Sequence, residues 1–199
     1  IIGNLSQMPQ AGTSITGSSP IFAAVTLNNS IVSFDPGSSA NITSLTIVGD
    51  ATLSANNLSF GTNSPIEVKS AAVLKLTAQS VSGGILNVRG NGTFQQFNTA
   101  QLNLASVLIE AGGLLTHAAN STARQSVLNL SVSNNFDLRA GATIAVDGLG
   151  YAGGSGGACL SRQGFGPGGG AGAGGPGSPE FEGGGGGGHG GAGGSGNTG

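Results

Sequence analysis

Charge is scarce in this 199-residue chain: 6 Lys and Arg stand against 8 Asp and Glu, together 7% of the residues, where about a quarter is usual for a soluble domain. No basic stripe exists to neutralise phosphates, which excludes nucleic acid as a partner, because such binding rests on clustered Lys and Arg. Trp is absent, Tyr151 is the single Tyr and Cys159 the single Cys, so neither a disulfide framework nor a cysteine zinc site fits inside the chain. An odd Cys in a secreted chain is a candidate for a disulfide between subunits, and Cys159 is marked for that role. No stretch approaches the roughly 18 to 20 consecutive apolar residues that a membrane span requires. The start, Ile1-Ile2-Gly3-Asn4, has no initiator Met, charged n-region or apolar h-region, so a mature chain or a fragment is expected.

Helical signals are missing as well. Apolar residues do not recur at three and four, and β-branched residues, Gly, Ser and Asn dominate. Glycine is plentiful but uneven: of 40, 27 fall in the last 52 positions and 13 in the first 147. Residues 1–147 are long enough to bury a core, whereas the glycine-rich part cannot build one alone.

A repeat runs through the first part. An apolar residue is followed four positions later by a small one and two beyond that by a large apolar one, at Ile47, Ala51, Leu53; Val68, Ala72, Leu74; Val88, Gly92, Phe94; Ile109, Gly113, Leu115; and Leu138, Ala142, Ile144. The steps between copies are 21, 20, 21 and 29. A second element, Leu-x-apolar, recurs at Leu58, Leu86, Leu102 and Leu128. Short alternating strands joined at small-residue corners, with a period near 20, are what a parallel β-solenoid needs. Large apolar residues then point inward in ladders, and the small residue lets the backbone turn. The next residue after each first apolar position must face solvent; these are Val48, Lys69, Arg89, Glu110 and Arg139, four of five charged.

The expected fold is therefore all-β: a parallel β-solenoid of five or six coils over residues 31–147, a cap or extended arm over 1–30, and a glycine-rich extended region over 148–199. The alternative is an antiparallel β-sandwich, for which Asn91-Gly92 and Asp147-Gly148 would serve as hairpin turns. In the glycine-rich region, runs with occasional Pro favour polyproline II-type strands that hydrogen-bond sideways. Ordering so many glycines, at about 1 to 2 kcal/mol each, requires many lateral partners.

Motifs that carry chemistry are weak. Gly148-Leu149-Gly150-Tyr151-Ala152-Gly153 matches a dinucleotide fingerprint in form, but Gly153-Gly154-Ser155-Gly156-Gly157 cannot sustain the helix such a site needs. Neither Gly164-Phe165-Gly166-Pro167-Gly168 nor the six-Gly run 183–188 has the Lys and Ser or Thr of a P-loop. Asp35, Asp50, Glu67, Glu110, Asp137 and Asp147 are scattered singly, whereas β-helix polysaccharide enzymes cluster carboxylates to hold a cation or share a hydrolysis. His117 is read as a solvent-facing or corner residue and His189 as packed among glycines. No catalytic residue, cofactor site or metal site is assigned.

Seven sequons stand before the glycine-rich part, at Asn4, Asn28, Asn41, Asn57, Asn91, Asn120 and Asn129, where chance predicts roughly three. They point to a secreted, N-glycosylated chain. The copies from Glu67 to Leu76, Leu108 to Leu115 and Asp137 to Val146 resemble the coils of pectin-lyase-like β-helix adhesins and large surface proteins. The run from Asp147 to Gly154 and the segment around His189 are similar to glycine-rich blocks in very large extracellular proteins of algae and other protists, some of them like components of flagellar hairs and surface filaments. The resemblance implies a structural role and transfers no catalytic residue. The expectation is an extracellular, N-glycosylated fibre subunit that forms a homo-oligomer or helical filament; an adhesin or glycan-binding module is the alternative, and a polysaccharide-active enzyme a weaker one.

Overall fold

Short alternating strands with buried apolar residues at every second position build nearly all the regular structure of the chain. The computed structural model describes residues 2–3, 12–17, 19–35, 37–154, 164–167 and 169–170, with eighteen strands and no helix among them. The chain divides into two compact units, Ile1–Ala118 with Val127–Ala145, and Ala119–Ser126 with Val146–Gly199.

The first unit is a parallel β-solenoid. An opening set, β1 (Ile2–Gly3), β2 (Thr13–Ile15) and β3 (Ile21–Phe22), precedes a coil of β4 (Val25–Asn28), β5 (Ser30–Phe34) and β6 (Ser39–Ile42). The next two coils carry β7 (Leu45–Ile47) with the ten-residue β8 (Ala51–Phe60), and β9 (Pro65–Val68) with the ten-residue β10 (Val73–Ser82). Then come β11 (Ile85–Val88), β12 (Thr93–Gln96) and β13 (Leu102–Leu104), followed by β14 (Ser106–Ile109), β15 (Leu114–His117) and β16 (Leu130–Val132). A last partial coil holds β17 (Phe136–Leu138) and β18 (Thr143–Ile144). One face is the seven-stranded sheet β1-β4-β7-β9-β11-β14-β17. The other two faces, β2-β5-β8-β10-β12-β15-β18 and β3-β6-β8-β10-β13-β16, merge into one eleven-stranded sheet because β8 and β10 run through both.

All strand pairings among the described residues are parallel. That decides against the antiparallel sandwich, and Asn91-Gly92 is a corner between β11 and β12 rather than a hairpin turn. The segment 1–30, expected as a cap or arm, supplies β1 to β4 to these ladders.

The inward ladder Ile47, Val68, Val88, Ile109 stacks in register and is fully buried, each at 0% exposure. Leu74, Phe94 and Leu115 form a second ladder, while Val48, Arg89 and Arg139 face out as the alternation requires. Two details of the repeat are corrected. Ala51 stands opposite Leu74 and Leu53 opposite Leu76, a shift of two from the sequence alignment. The cause is the corner: residues 48–50 fill it in one coil, but residues 69–73 fill it in the next, with Ser70 and Ala71 left-handed at φ 60° and 59°. The Asp50 carboxylate bridges the difference by accepting from the Val73 N–H at 3.1 Å. The Leu-x-apolar element also mixes faces, since Leu86 lies on the first sheet and Leu58 and Leu102 on the third face, where Leu130, not Leu128, stacks on Leu102.

The irregular step of 29 has a simple origin. Residues 119–126, eight in number, leave the coil between β15 and β16 and belong to the second unit, and 29 less 8 restores 21. In that unit Asn120 is the organiser. Its Nδ2 donates to the carbonyls of Ser126 (2.9 Å) and Leu149 (3.3 Å), and its Oδ1 accepts from the N–H groups of Gln125 and Ser126. Further on, Gly164 N–H donates to Gly170 O at 2.9 Å. The rest of 148–199, on which the polyglycine expectation falls, lies outside the described residues.

Candidate functional site

Outward positions of the first sheet and of the corner that follows it carry three of the acidic residues, Glu67, Glu110 and Asp137. Glu67 and Asn87 are neighbours in register on β9 and β11, and Asn87 Nδ2 donates to Glu67 Oε1 at 2.6 Å. The Arg89 guanidinium lies 2.6 Å from Glu67 Oε2, a charge contact outside hydrogen-bonding geometry. Arg139 reaches Glu110 on the adjacent coil and Asp137 two residues before it in β17, both at 3.1 Å. Each of these carboxylates therefore faces a cation, and two of the three ion pairs run from coil to coil. The two pairs of Arg139 are solvent-exposed and contribute about 0 to 1 kcal/mol each, whereas the Glu67 side chain is only 14% exposed beneath Arg89. Glu67 and Asp137 stand three coils apart, so they do not share a substrate-sized site.

A second polar group lies inside and was missed from sequence. Gln96 is 0% exposed and His117, its neighbour in register, 2% exposed. Of the two readings of His117, solvent-facing fails and corner stands: it ends β15 before irregular chain and is buried, because it stands two after inward Leu115, just as Gln96 stands two after inward Phe94. Period two, continued through these polar residues, would have found both. His117 Nδ1 lies 2.7 Å from the Ala118 carbonyl, which can only accept, so that nitrogen carries the proton. Gln96 Nε2 donates to Ala100 O (2.6 Å) and Asn98 Oδ1 (3.2 Å), while its Oε1 accepts from Asn129 N–H (3.0 Å). Asn98 Nδ2 donates to Ala78 O at 2.6 Å. These bonds connect three successive coils. They satisfy the buried polar atoms of an irregular corner, as such groups must be.

The sequons separate by geometry. Asn57 donates to Ser39 Oγ (3.3 Å) and accepts from Ser80 Oγ (2.7 Å). Asn120 uses both ends of its amide, as described, and Asn129 Nδ2 donates to Thr99 O at 3.2 Å. Asn28 and Asn91 are exposed, Asn41 is half-buried in β6, and their side-chain amides make no hydrogen bond with described residues. Asn4, Cys159 and His189 lie outside the described residues.

At its C-terminal end the solenoid is open. Phe136 and Leu138 continue the ladders of Val107 and Ile109, and Ile144 that of Leu115, yet they are 45%, 46% and 43% exposed. At the other end Ile15 and Phe22, in register with buried Phe34 and Ile42, are partly exposed.

The core holds an apolar cavity of about 10 Å³ among residues such as Leu45, Leu53, Leu74 and Leu86, about the smallest volume that takes a water and without polar partners for one. In the second unit an open groove of about 350 Å³ is lined by Val146, Asp147, Gly148, Gly150 and Tyr151. Residues 151–154 there are irregular, so the formal fingerprint starts no helix in the described chain. No group of three His, Cys, Asp or Glu that could hold a metal occurs among the described residues, nor does a helix long and apolar enough to cross a membrane. Comparison with protein-family models, curated proteins and solved structures found no match to this chain.

Proposed function

We propose that this chain is a structural subunit of an extracellular, N-glycosylated surface fibre, with solenoids stacking end to end. The observation that carries the reading is the open last coil, where Phe136, Leu138 and Ile144 stand in register with buried ladders and remain uncovered. A further coil placed there would bury them and engage the free edges of β16, β17 and β18, which in isolation invite edge pairing. The first coil of a second copy has the same strand direction and presents apolar rungs at Ile15 and Phe22. Head-to-tail contact of this kind does not close on itself and generates a filament.

The glycine-rich region would add lateral packing. A Cβ at Gly169 would sit 2.0 Å from Gly164 O, so only bare backbone allows that approach. The sequon excess and the low charge favour a glycosylated extracellular setting, as does the resemblance to adhesin-type coils and protist surface proteins. Electron microscopy of the purified chain tests the reading. Unbranched filaments with a coil-stacking repeat of about 4.8 Å are expected; a protein that stays monomeric at high concentration and binds glycans overturns it in favour of an adhesin.

A further inference from the structure

The corner between the first and second faces is built differently along the solenoid. It holds two residues, Asn28 and Asn29, in the coil of β4; three, 48–50, in the next; and five in each later coil from 69–73 onward. Asn29 and Asn91 turn this corner in the left-handed conformation, at φ 46° and 62°. Both exposed sequon asparagines, Asn28 and Asn91, therefore lie on one edge of the solenoid, three coils apart or about 14 Å along the axis at ~4.8 Å per coil.

We infer that Asn28 and Asn91 are the glycan-bearing residues of the solenoid and that they make this edge its sugar-covered side; the inference rests on the chain being secreted. N-glycosylation replaces one hydrogen of the side-chain amide with a bulky sugar that needs solvent around it. Asn28 and Asn91 are exposed residues whose amide nitrogens make no hydrogen bond with described residues, while each Oδ1 packs against a glycine of the next coil, Gly49 or Gly112. Asn120 has both amide hydrogens engaged, by Ser126 O and Leu149 O, so a sugar there removes a bond and displaces a backbone carbonyl. Asn57 is held between Ser39 and Ser80 of the coils on either side, and Asn129 is tied to Thr99 O. Asn41 has an unbonded amide but is half-buried inside a strand, and it ranks below Asn28 and Asn91. Sugars on a lateral edge leave both ends of the coil stack uncovered, and so are compatible with end-to-end contact.

The test is to secrete the full chain, carrying Asn4→Gln, from cultured eukaryotic cells behind a supplied signal peptide. The glycans are then removed enzymatically in heavy-oxygen water, and each sequon is scored by mass spectrometry. Asn28 and Asn91 should be labelled in most secreted molecules, Asn41 in fewer, and Asn57, Asn120 and Asn129 in almost none. Asn28→Gln and Asn91→Gln should each remove one gel-shift step without lowering secretion, whereas glycans on Asn57 or Asn120 should appear only in the retained, misfolded fraction. Empty Asn28 and Asn91, or substantial occupancy of Asn57 or Asn120 in secreted protein, overturns the assignment. Because the signal peptide is supplied, the outcome does not depend on fibre formation, which microscopy judges separately.

Discussion

At the scale of single residues, the coil repeat is set by how closely one backbone passes over the next. Gly92 and Gly113 occupy the small position of the repeat, and a Cβ there would lie 2.5 Å from Val68 O and 2.6 Å from Val88 O. Backbone carbonyls of the neighbouring coil cannot swing aside as a flexible side chain would. Gly113→Ala should therefore destabilise the fold by about 1 to 3 kcal/mol, the range for overpacking a filled site, read as a lower urea midpoint; an unchanged midpoint would show that the coil relaxes freely. Gln96 makes the complementary case, since its Oε1 is the acceptor for a backbone N–H of the coil above. Gln96→Leu keeps most of the volume but leaves the Asn129 N–H without that acceptor, and should cost about 1 to 3 kcal/mol. Denaturation of the two proteins at one pH measures it directly. The small position was legible in the sequence because glycine and alanine recur there; the burial of Gln96 and His117 was not, because polar side chains mostly lie at the surface. Alternation held and polarity gave way, since inward hydrogen bonds satisfied both side chains.

At the scale of elements, strand phase survives changes in corner length because side chains fill in for missing backbone partners. Asp50 is the clearest instance: its carboxylate receives the Val73 N–H where the corner below is two residues shorter. Asp50→Ala should cost about 0.5 to 1.5 kcal/mol, the net value of one hydrogen bond. It should also speed hydrogen exchange at Val73 more than at Leu76, which keeps its pairing with Leu53; uniform acceleration across β10 would contradict a local role. The repeat spacing revealed the inward ladder of Ile47, Val68, Val88 and Ile109 directly. It misaligned Leu53, because a spacing rule counts residues whereas stacking depends on where the chain resumes after the corner. Likewise the step of 29 could not be divided by eye into a coil of 21 and an excursion of eight, since nothing in residues 119–126 marks them as leaving the coil.

At the scale of the whole molecule, the proposed assembly depends on apolar rungs that folding leaves uncovered. Leu138→Glu combined with Ile144→Lys alters positions already 46% and 43% exposed, so the monomer should lose less than about 1 kcal/mol of stability, as is usual away from a filled core. Filament formation should fall at least tenfold by light scattering, and filaments that persist at wild-type level would remove the ends from the assembly. By itself, the amino-acid order determined the all-β class, the parallel coil with its period, and the inward ladder of Ile47, Val68, Val88 and Ile109, because these follow from alternation, local sterics and equal spacing. The tertiary structure decided the rest: that His117 turns inward, that Asn28 and Asn91 share an edge while Asn57 and Asn120 are tied down, and that Phe136, Leu138 and Ile144 end their ladders uncovered. Those outcomes depend on which coil lies above which and on how irregular chain folds back on itself, relations that the alternation within one strand does not encode.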